Sequence, residues 1–354
     1  MNSRPFAVKK ILNRNAMPRF LPLLSPVFAV ILALLPSCQT LSFYGQAIGG
    51  QAEILRKSRP NEQVRADPAS PPALRDQLAT VEKIRRFASD HLSLPGDASY
   101  GKYADLGRQH VVWVVYAAPE FSMKAKTWHY PAIGKMDYRG YFHEQDTVEL
   151  SGELKADGHD VFVGGVDAYS TLGWFHDPVL NTFVNYPDID LAETIFHELT
   201  HRKVFRRGDT VFNESLANTV AEEGVKRWLR HEGRLADLRK YEQRLVRRRE
   251  FYREVDSSRW SLEKLYASGQ PEPAMRRKKV AILAKLRDQF CELRRRWGGH
   301  GLESWLTEDI NNGHIVSLKI YAEQMPVFEI LLKQCDGNLA LFFKQAGHLK
   351  LPKK

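Results

Sequence analysis

"IFHELTHRKVFRRGDTVFNESLAN", residues 195–218, carries two histidines four residues apart, a glutamate beside the first, and another glutamate thirteen residues after the second. On an α-helix four residues turn through about 400°, so His197 and His201 project from one face, one turn apart. Two neutral imidazoles placed that way can share one Zn²⁺ at about 2.0–2.1 Å. Glu198 lies about 100° further around the helix. It is thereby kept from ligating but stays within reach of a water on the metal, whose proton it can take. A catalytic zinc needs a third protein ligand and an open fourth position. A histidine six residues after His201 would mark one class of zinc peptidase, but that position is Arg207.

Asp209 and Glu214 are the candidates for the third ligand, and Glu214 is the better placed. The helix is expected to run to about Arg207, turn at "RGDT", and return as "VFNESLANTVAEEGVKRWL", with Glu214 about one turn in. Asn213 and Asn218 are amides positioned to orient a carboxylate or an imidazole. Glu222 and Glu223, two turns further on, read as too distant. The competing reading is a helix pair with satisfied polar side chains. Glu198, the returning helix and the NExxxN spacing, all in phase, weigh against it.

Upstream of this stretch, "HVVWVVYAAP" has eight apolar residues in a row, closed by proline, and reads as a buried strand. "DTVELSGELKADGHDVFVGGV" alternates and turns at "ADGHD", which predicts a hairpin. "AYSTLGWFHDPVLNTFVNYPD" is rich in aromatics and turn residues. The zinc-motif helix is expected to open near Ile189, with Asp188 or Asp190 as its cap. Residues 39–66 read as one helix.

Downstream the chain is almost all helical. Leu238, Tyr241, Leu245, Tyr252, Val255, Leu262 and Tyr266 recur at three- and four-residue steps. "ASGQPEPA" breaks the pattern, and a second apolar stripe follows, predicting an antiparallel helical hairpin. The basic runs Arg247–Arg249, Arg276–Lys279 and Arg294–Arg296 are interleaved with acids, and read as solvated helix faces rather than a nucleic-acid or anionic-lipid surface. No nucleic-acid partner is expected.

The N-terminus has its own signature. "MPRFLPLLSPVFAVILALLPSC" opens at Met17, a second candidate start, and leads through an apolar run to Cys38. It reads as a secretory signal ending in a lipoprotein box, with Cys38 as the lipidated residue. An uncleaved anchor is the competing reading, because the run from Phe20 is about 18 residues, near the spanning limit. Either way the protein is expected to be exported and membrane-tethered. Gln39 after the cysteine favours the outer membrane, facing the periplasm. The leader carries five basic residues and no acid, so half of the formal charge of +10 leaves with it. Cys291 and Cys335 have no neighbours of a zinc cluster; an exported compartment permits a disulfide between them, and two isolated thiols fit equally.

The fold class expected is α+β, mainly helical. A small β-sheet lobe precedes a zincin-like HExxH helix and a helical C-terminal region with a long helical hairpin. The segments are a leader over 1–37, an N-terminal helical part over 39–110, a catalytic core over 111–230, the charged hairpin over 231–300, and helices over 301–354 that complete the cleft.

At the residues quoted the chain resembles a gluzincin, a zinc peptidase with two histidines and a downstream glutamate. More closely it resembles a bacterial family of predicted aminopeptidases, often lipoproteins. The segments that carry this are "GQAIGGQAEILRKSRP", "KMDYRGYF", "GVDAYSTLGWFHDP", "ETIFHELTHRKVF…FNESLA" and "NNGHIVSLKIYAEQMPVF". The resemblance implies one zinc ion at His197, His201 and Glu214, Glu198 as base, and a peptide substrate. The acidic exopeptidase motif that better-known gluzincins carry upstream is absent.

A peptidase also needs a donor for the oxyanion. Tyr169 and Tyr321 are the candidates, and the segment around Tyr169 suits an edge strand that pairs with an extended peptide. His176 or Asp177 is placed to reach the cleft. An aminopeptidase must also meet the substrate ammonium with a carboxylate, for which Glu144, Asp146, Asp167 and Asp177 are available. Two other readings stand beside peptide hydrolysis: a membrane-tethered assembly or quality-control factor that keeps the fold, and a zinc amidase acting on cell-wall peptides.

Overall fold

The computed structural model describes residues 38–130, 134–168, 171, 175–322 and 324–349; of residues 38–42 and 319–322 it describes the backbone alone. The leader, the Cys38 side chain, Tyr169 and the Tyr321 side chain therefore lie outside what is described. Residues up to Gln46 form one unit and those from Ala47 onward a second, compact one. Among the described residues no helix is long and apolar enough to cross a membrane.

Helix α1 (Cys38–Lys57) is followed by strand β1 (Arg59–Pro60) and helix α2 (Asn61–Ala66). The single helix expected over 39–66 is thus broken, because Pro60 has no N–H to give and holds Arg59 extended. Helix α3 (Pro72–Leu92) and strand β2 (Lys102–Ala104) come next. The apolar run then forms β3 (Val112–Pro119), followed by the short strands β4 (Trp128–Tyr130), β5 (Gly134–Met136) and β6 (Arg139–Tyr141).

Helix α4 (Gln145–Ala156) precedes β7 (His159–Val166) and β8 (Val179–Leu180). This corrects the expected hairpin: its first arm is α4. Thr147, Ser151 and Leu154 are the buried positions, at four- and three-residue steps, so the arm presents a helical face to the sheet. The turn falls where expected, at Gly158, whose φ of 76° lies in the left-handed region.

β3 is the middle of an antiparallel sheet ordered β6-β3-β7, paired along its whole length with β7. A smaller sheet, β1-β2-β8, ties the N-terminal part to the segment before the zinc-motif helix. That helix is α5 (Asp188–Lys203), and α6 (Thr210–His231) returns against it. Gly224 permits the close approach, since a Cβ there would stand 2.7 Å from Phe196 and 2.9 Å from Leu92. Asp188 and Asp190 do not cap α5; the N-cap is Pro187, and the two acids sit in the first turn, where the helix dipole favours them. Each is paired with an arginine of the next region, Arg234 and Arg244.

Helices α7 (Leu235–Tyr266) and α8 (Glu272–Arg296) run antiparallel, for as one number rises its partner's falls: Glu250 takes a bond from Trp297, and Phe251 stacks on Phe290. The chain closes with α9 (Glu303–Thr307), α10 (Asn312–Ala322), α11 (Met325–Gln334) and α12 (Leu339–His348). Helix α10 lies between the sheet strands β3 and β7 and helix α6. Gly313 lets it do so: a Cβ there would meet the backbone of Val161 and Phe162 at 2.9 and 2.7 Å. The fold is α+β and mainly helical, with small sheets. Cys291 is exposed and Cys335 buried, and both are free thiols.

Candidate active site

Helix α5 stops at Lys203, one turn earlier than its sequence suggests, with Val204 already extended. Asn213 fixes the turn that follows. Its Oδ1 accepts from the Arg206 N–H at 2.7 Å and its Nδ2 donates to the Arg206 carbonyl at 2.8 Å. Asn213 thus clasps the corner between α5 and α6 and does not orient a carboxylate or imidazole. Asp209 caps α6, accepting from the Phe212 N–H at 3.2 Å, which takes it out of the set of ligands. The Arg206 guanidinium lies 3.5 Å over the Phe212 ring.

With the corner set this way, Glu214 faces both imidazoles. His197 Nε2 lies 3.2 Å from Glu214 Oε2, His201 Nε2 lies 3.5 Å from Oε1, and the two Nε2 atoms are 3.1 Å apart. These three side chains are the one group among the described residues with donor atoms close enough to share a metal ion. Asn218, one turn after Glu214, accepts at 3.0 Å from His197 Nδ1–H, which turns Nε2 toward the cluster. His201 Nδ1 is buried with no partner among the described residues. Glu222 and Glu223 are engaged elsewhere, with Arg248 and Arg249 and with Lys226 and Arg227.

The site is largely buried, and that sets its electrostatics. Burial pulls His201 down to about 4. Burial also opposes a charge on His197, but the Glu214 carboxylate beside it outweighs this and holds it up at about 9. Glu214 itself is below the usual carboxylate range, because the two histidines outweigh its burial. Burial pushes Glu198 up to about 7; His197 opposes this and the carboxylates Glu214 and Asp177 add to it. Among the described residues nothing donates to the Glu198 carboxylate.

Three further groups surround it, joined by contacts over long sequence separations. Asp177, 2% exposed, accepts from the Thr171 N–H at 2.9 Å and hydroxyl at 2.7 Å. Its carbonyl takes the Tyr100 N–H at 2.6 Å. Tyr100 is 1% exposed, has a φ of 59°, and has a hydroxyl with no partner among the described residues. Arg202, next after His201, donates to the Phe175 carbonyl at 2.6 Å and pairs with Asp97. Burial pushes Asp97 up, yet its bonds from Ser99 and Arg202 hold it below the ordinary range. Nothing in the sequence marks Tyr100, Asp97 or Arg202; Arg202 is one cation in a basic triplet.

Of the acids considered for a substrate ammonium, Asp177 is committed to Thr171. Asp167 is committed to His110 and Tyr186. Glu144 and Asp146 lie at the start of α4. His176 is more than half exposed, 3.9 Å from Asp97. Tyr321 belongs to α10, which packs against α6; beyond its end the Gln324 N–H, at the cap of α11, donates to Ser215 Oγ at 3.2 Å, one residue from Glu214.

The corner thus assembles two imidazoles, a carboxylate ligand candidate and a buried carboxylate with no donor among the described residues, an arrangement suited to hydrolysis. No curated protein and no solved structure matches the chain. One family model does, described as "Putative aminopeptidase"; it covers residues 42–354, and the chain belongs to that family.

Proposed function

We propose that the chain is a zinc-dependent peptidase of the zincin kind that acts as an aminopeptidase, with one Zn²⁺ held by His197, His201 and Glu214 and with Glu198 as general base. The observation that carries this is the spacing of the donors. Their separations of 3.1, 3.2 and 3.5 Å straddle the ~3.3 Å edge of a tetrahedron whose centre lies ~2.0–2.1 Å from each donor. Two imidazole nitrogens and a carboxylate converging at that spacing suit a shared cation. The buried Nε2 of His197, its tautomer set by Asn218, fits that role.

A bound Zn²⁺ supplies a Lewis acid that polarises a carbonyl and lowers the pKa of water toward neutrality. The chain's own residues do the rest. Glu198 takes the proton of the attacking water and passes it to the leaving nitrogen; an affinity near pH 7 suits both transfers. Burial strengthens each of these interactions. Tyr321 is the preferred oxyanion donor over Tyr169, because α10 packs against α6, the helix that carries Glu214. Export and tethering through a lipid on Cys38 complete the proposal; metabolic labelling with a fatty acid, lost on Cys38→Ser, tests that part.

A panel of aminoacyl and N-blocked peptides, with and without chelator, tests the reaction. Peptides with free N-termini are cleaved and blocked ones are not, and chelation stops the cleavage. Cleavage of blocked peptides alone removes the exopeptidase part. Glu198→Gln keeps its metal content while kcat falls by about 10²–10⁴-fold; unchanged turnover removes the hydrolytic mechanism.

A further inference from the structure

The charge of this protein is unevenly placed. Between residues 235 and 296, helices α7 and α8 with their link carry 18 basic against 9 acidic residues, while the whole chain is at +10. Most of the charge in the basic runs is paired. Arg248, Arg249, Arg276, Lys279, Arg294 and Arg296 each pair with an acid. Within the runs, Arg247, Arg277 and Lys278 have no acidic partner among the described residues, and further unpaired cations of α7 stand outside them. Arg239, Arg253 and Lys264 of α7 are exposed and have no acidic partner among the described residues.

Their placement along α7 is regular. Arg239, Val246, Arg253 and Trp260 recur every seven residues, on the face opposite Leu238, Tyr241, Leu245, Val255 and Leu262, which are buried. Leu235 stands one turn before this line and Lys264 one turn after it. Leu235, Val246 and Trp260 are the large apolar side chains that α7 leaves more than half exposed, and all three fall on this stripe. Trp260 is 62% exposed, with the Lys264 ammonium 5.4 Å from its ring centre. One outer face of a 32-residue helix thus alternates aliphatic or indole groups with free cations over about 44 Å.

We propose that this stripe is a docking surface for an anionic lipid bilayer. The chemistry is that of interfacial binding: cations are attracted to anionic headgroups, and an indole and two aliphatic side chains enter the headgroup–acyl boundary. A straight face of this length matches a plane. A nucleic acid or an acidic peptide would use the cations but offers the exposed leucine and valine no apolar phase to enter. The proposal is independent of the zinc site.

The test follows Trp260 in the full chain, reconstituted into phosphatidylcholine vesicles with or without about a third phosphatidylglycerol, using acyl chains brominated near the carbonyl. The signal of Trp260 is the difference between the wild type and Trp260→Phe. That signal is quenched in the anionic vesicles, is unquenched in phosphatidylcholine alone, and recovers at high salt. The triple variant Arg239→Glu, Arg253→Glu, Lys264→Glu loses the quenching; all three positions are exposed, and an unchanged circular dichroism spectrum verifies its fold. Absence of quenching in anionic vesicles overturns the proposal, as does equal quenching in both vesicles. So does a stripe that captures DNA or an acidic polypeptide while Trp260 stays unquenched by lipid.

Discussion

The two imidazoles of the site differ in protonation although they are four residues apart on one helix. His197, held at about 9 by Glu214, carries a proton at neutral pH, and His201, lowered to about 4 by burial, does not. A metal ion needs both nitrogens neutral, so loading must expel the proton that His197 keeps. Binding at pH 7 therefore releases about one proton per ion, and apparent affinity rises about tenfold per pH unit until it levels near pH 9. Calorimetry in buffers of different ionisation enthalpy measures both; no proton release contradicts the assignment.

The asparagines of NExxxN separate in the same way. Asn218→Ala removes the acceptor that fixes the His197 tautomer, and weakens metal binding about 10–100-fold by competition titration. Asn213→Ala frees a buried N–H and carbonyl of Arg206, and lowers unfolding free energy by about 1–3 kcal/mol in urea. At this scale the sequence was most legible. His197, His201, Glu214 and Asn218 meet through helix period and one short corner. Asp97, Tyr100 and Arg202 were not, because nothing local signals a contact such as Arg202 with Asp97, which spans 105 residues.

Between elements, the fit of α10 is the most constrained contact. Gly313 touches the backbone of β7, which cannot move aside as a side chain can. Gly313→Ala is expected to cost about 1–3 kcal/mol through overpacking, read from the midpoint of denaturant unfolding. Turnover is expected to fall as well, since α10 carries Tyr321. Periodicity read most elements correctly and failed at α4. "DTVELSGEL" fits either an alternating or a helical pattern, and the sheet decides by burying Thr147, Ser151 and Leu154 together. The end of α5 was also read too late, since Asn213 clasps Arg206 from the far side of the turn.

Across the whole molecule the proposed metal and the fold would be linked. The cluster needs α5 and α6 in contact, and an unfolded chain does not hold its three ligands at this spacing, so an ion that binds the folded form stabilises it. At a free concentration a thousand times its dissociation constant, the gain is about 4 kcal/mol. Chelation is expected to lower the thermal midpoint by several degrees, and Glu214→Gln to abolish most of that metal response; an unchanged midpoint in the chelated wild type contradicts the assignment. The ion-pair network of Arg234, Arg244 and Arg248 holds the start of α5 and the middle of α6 to α7 whether or not an ion is present.

All three proposed ligands fall between positions 197 and 214, on either side of a corner secured by Asn213 and Asp209 from within the same segment. Bringing the ends of so short a span together costs little chain entropy. An ion can therefore seize this segment while later parts of the polypeptide are still emerging. Assembly would then spread outward from the centre of the chain, with the last helices arriving to enclose a cargo already aboard.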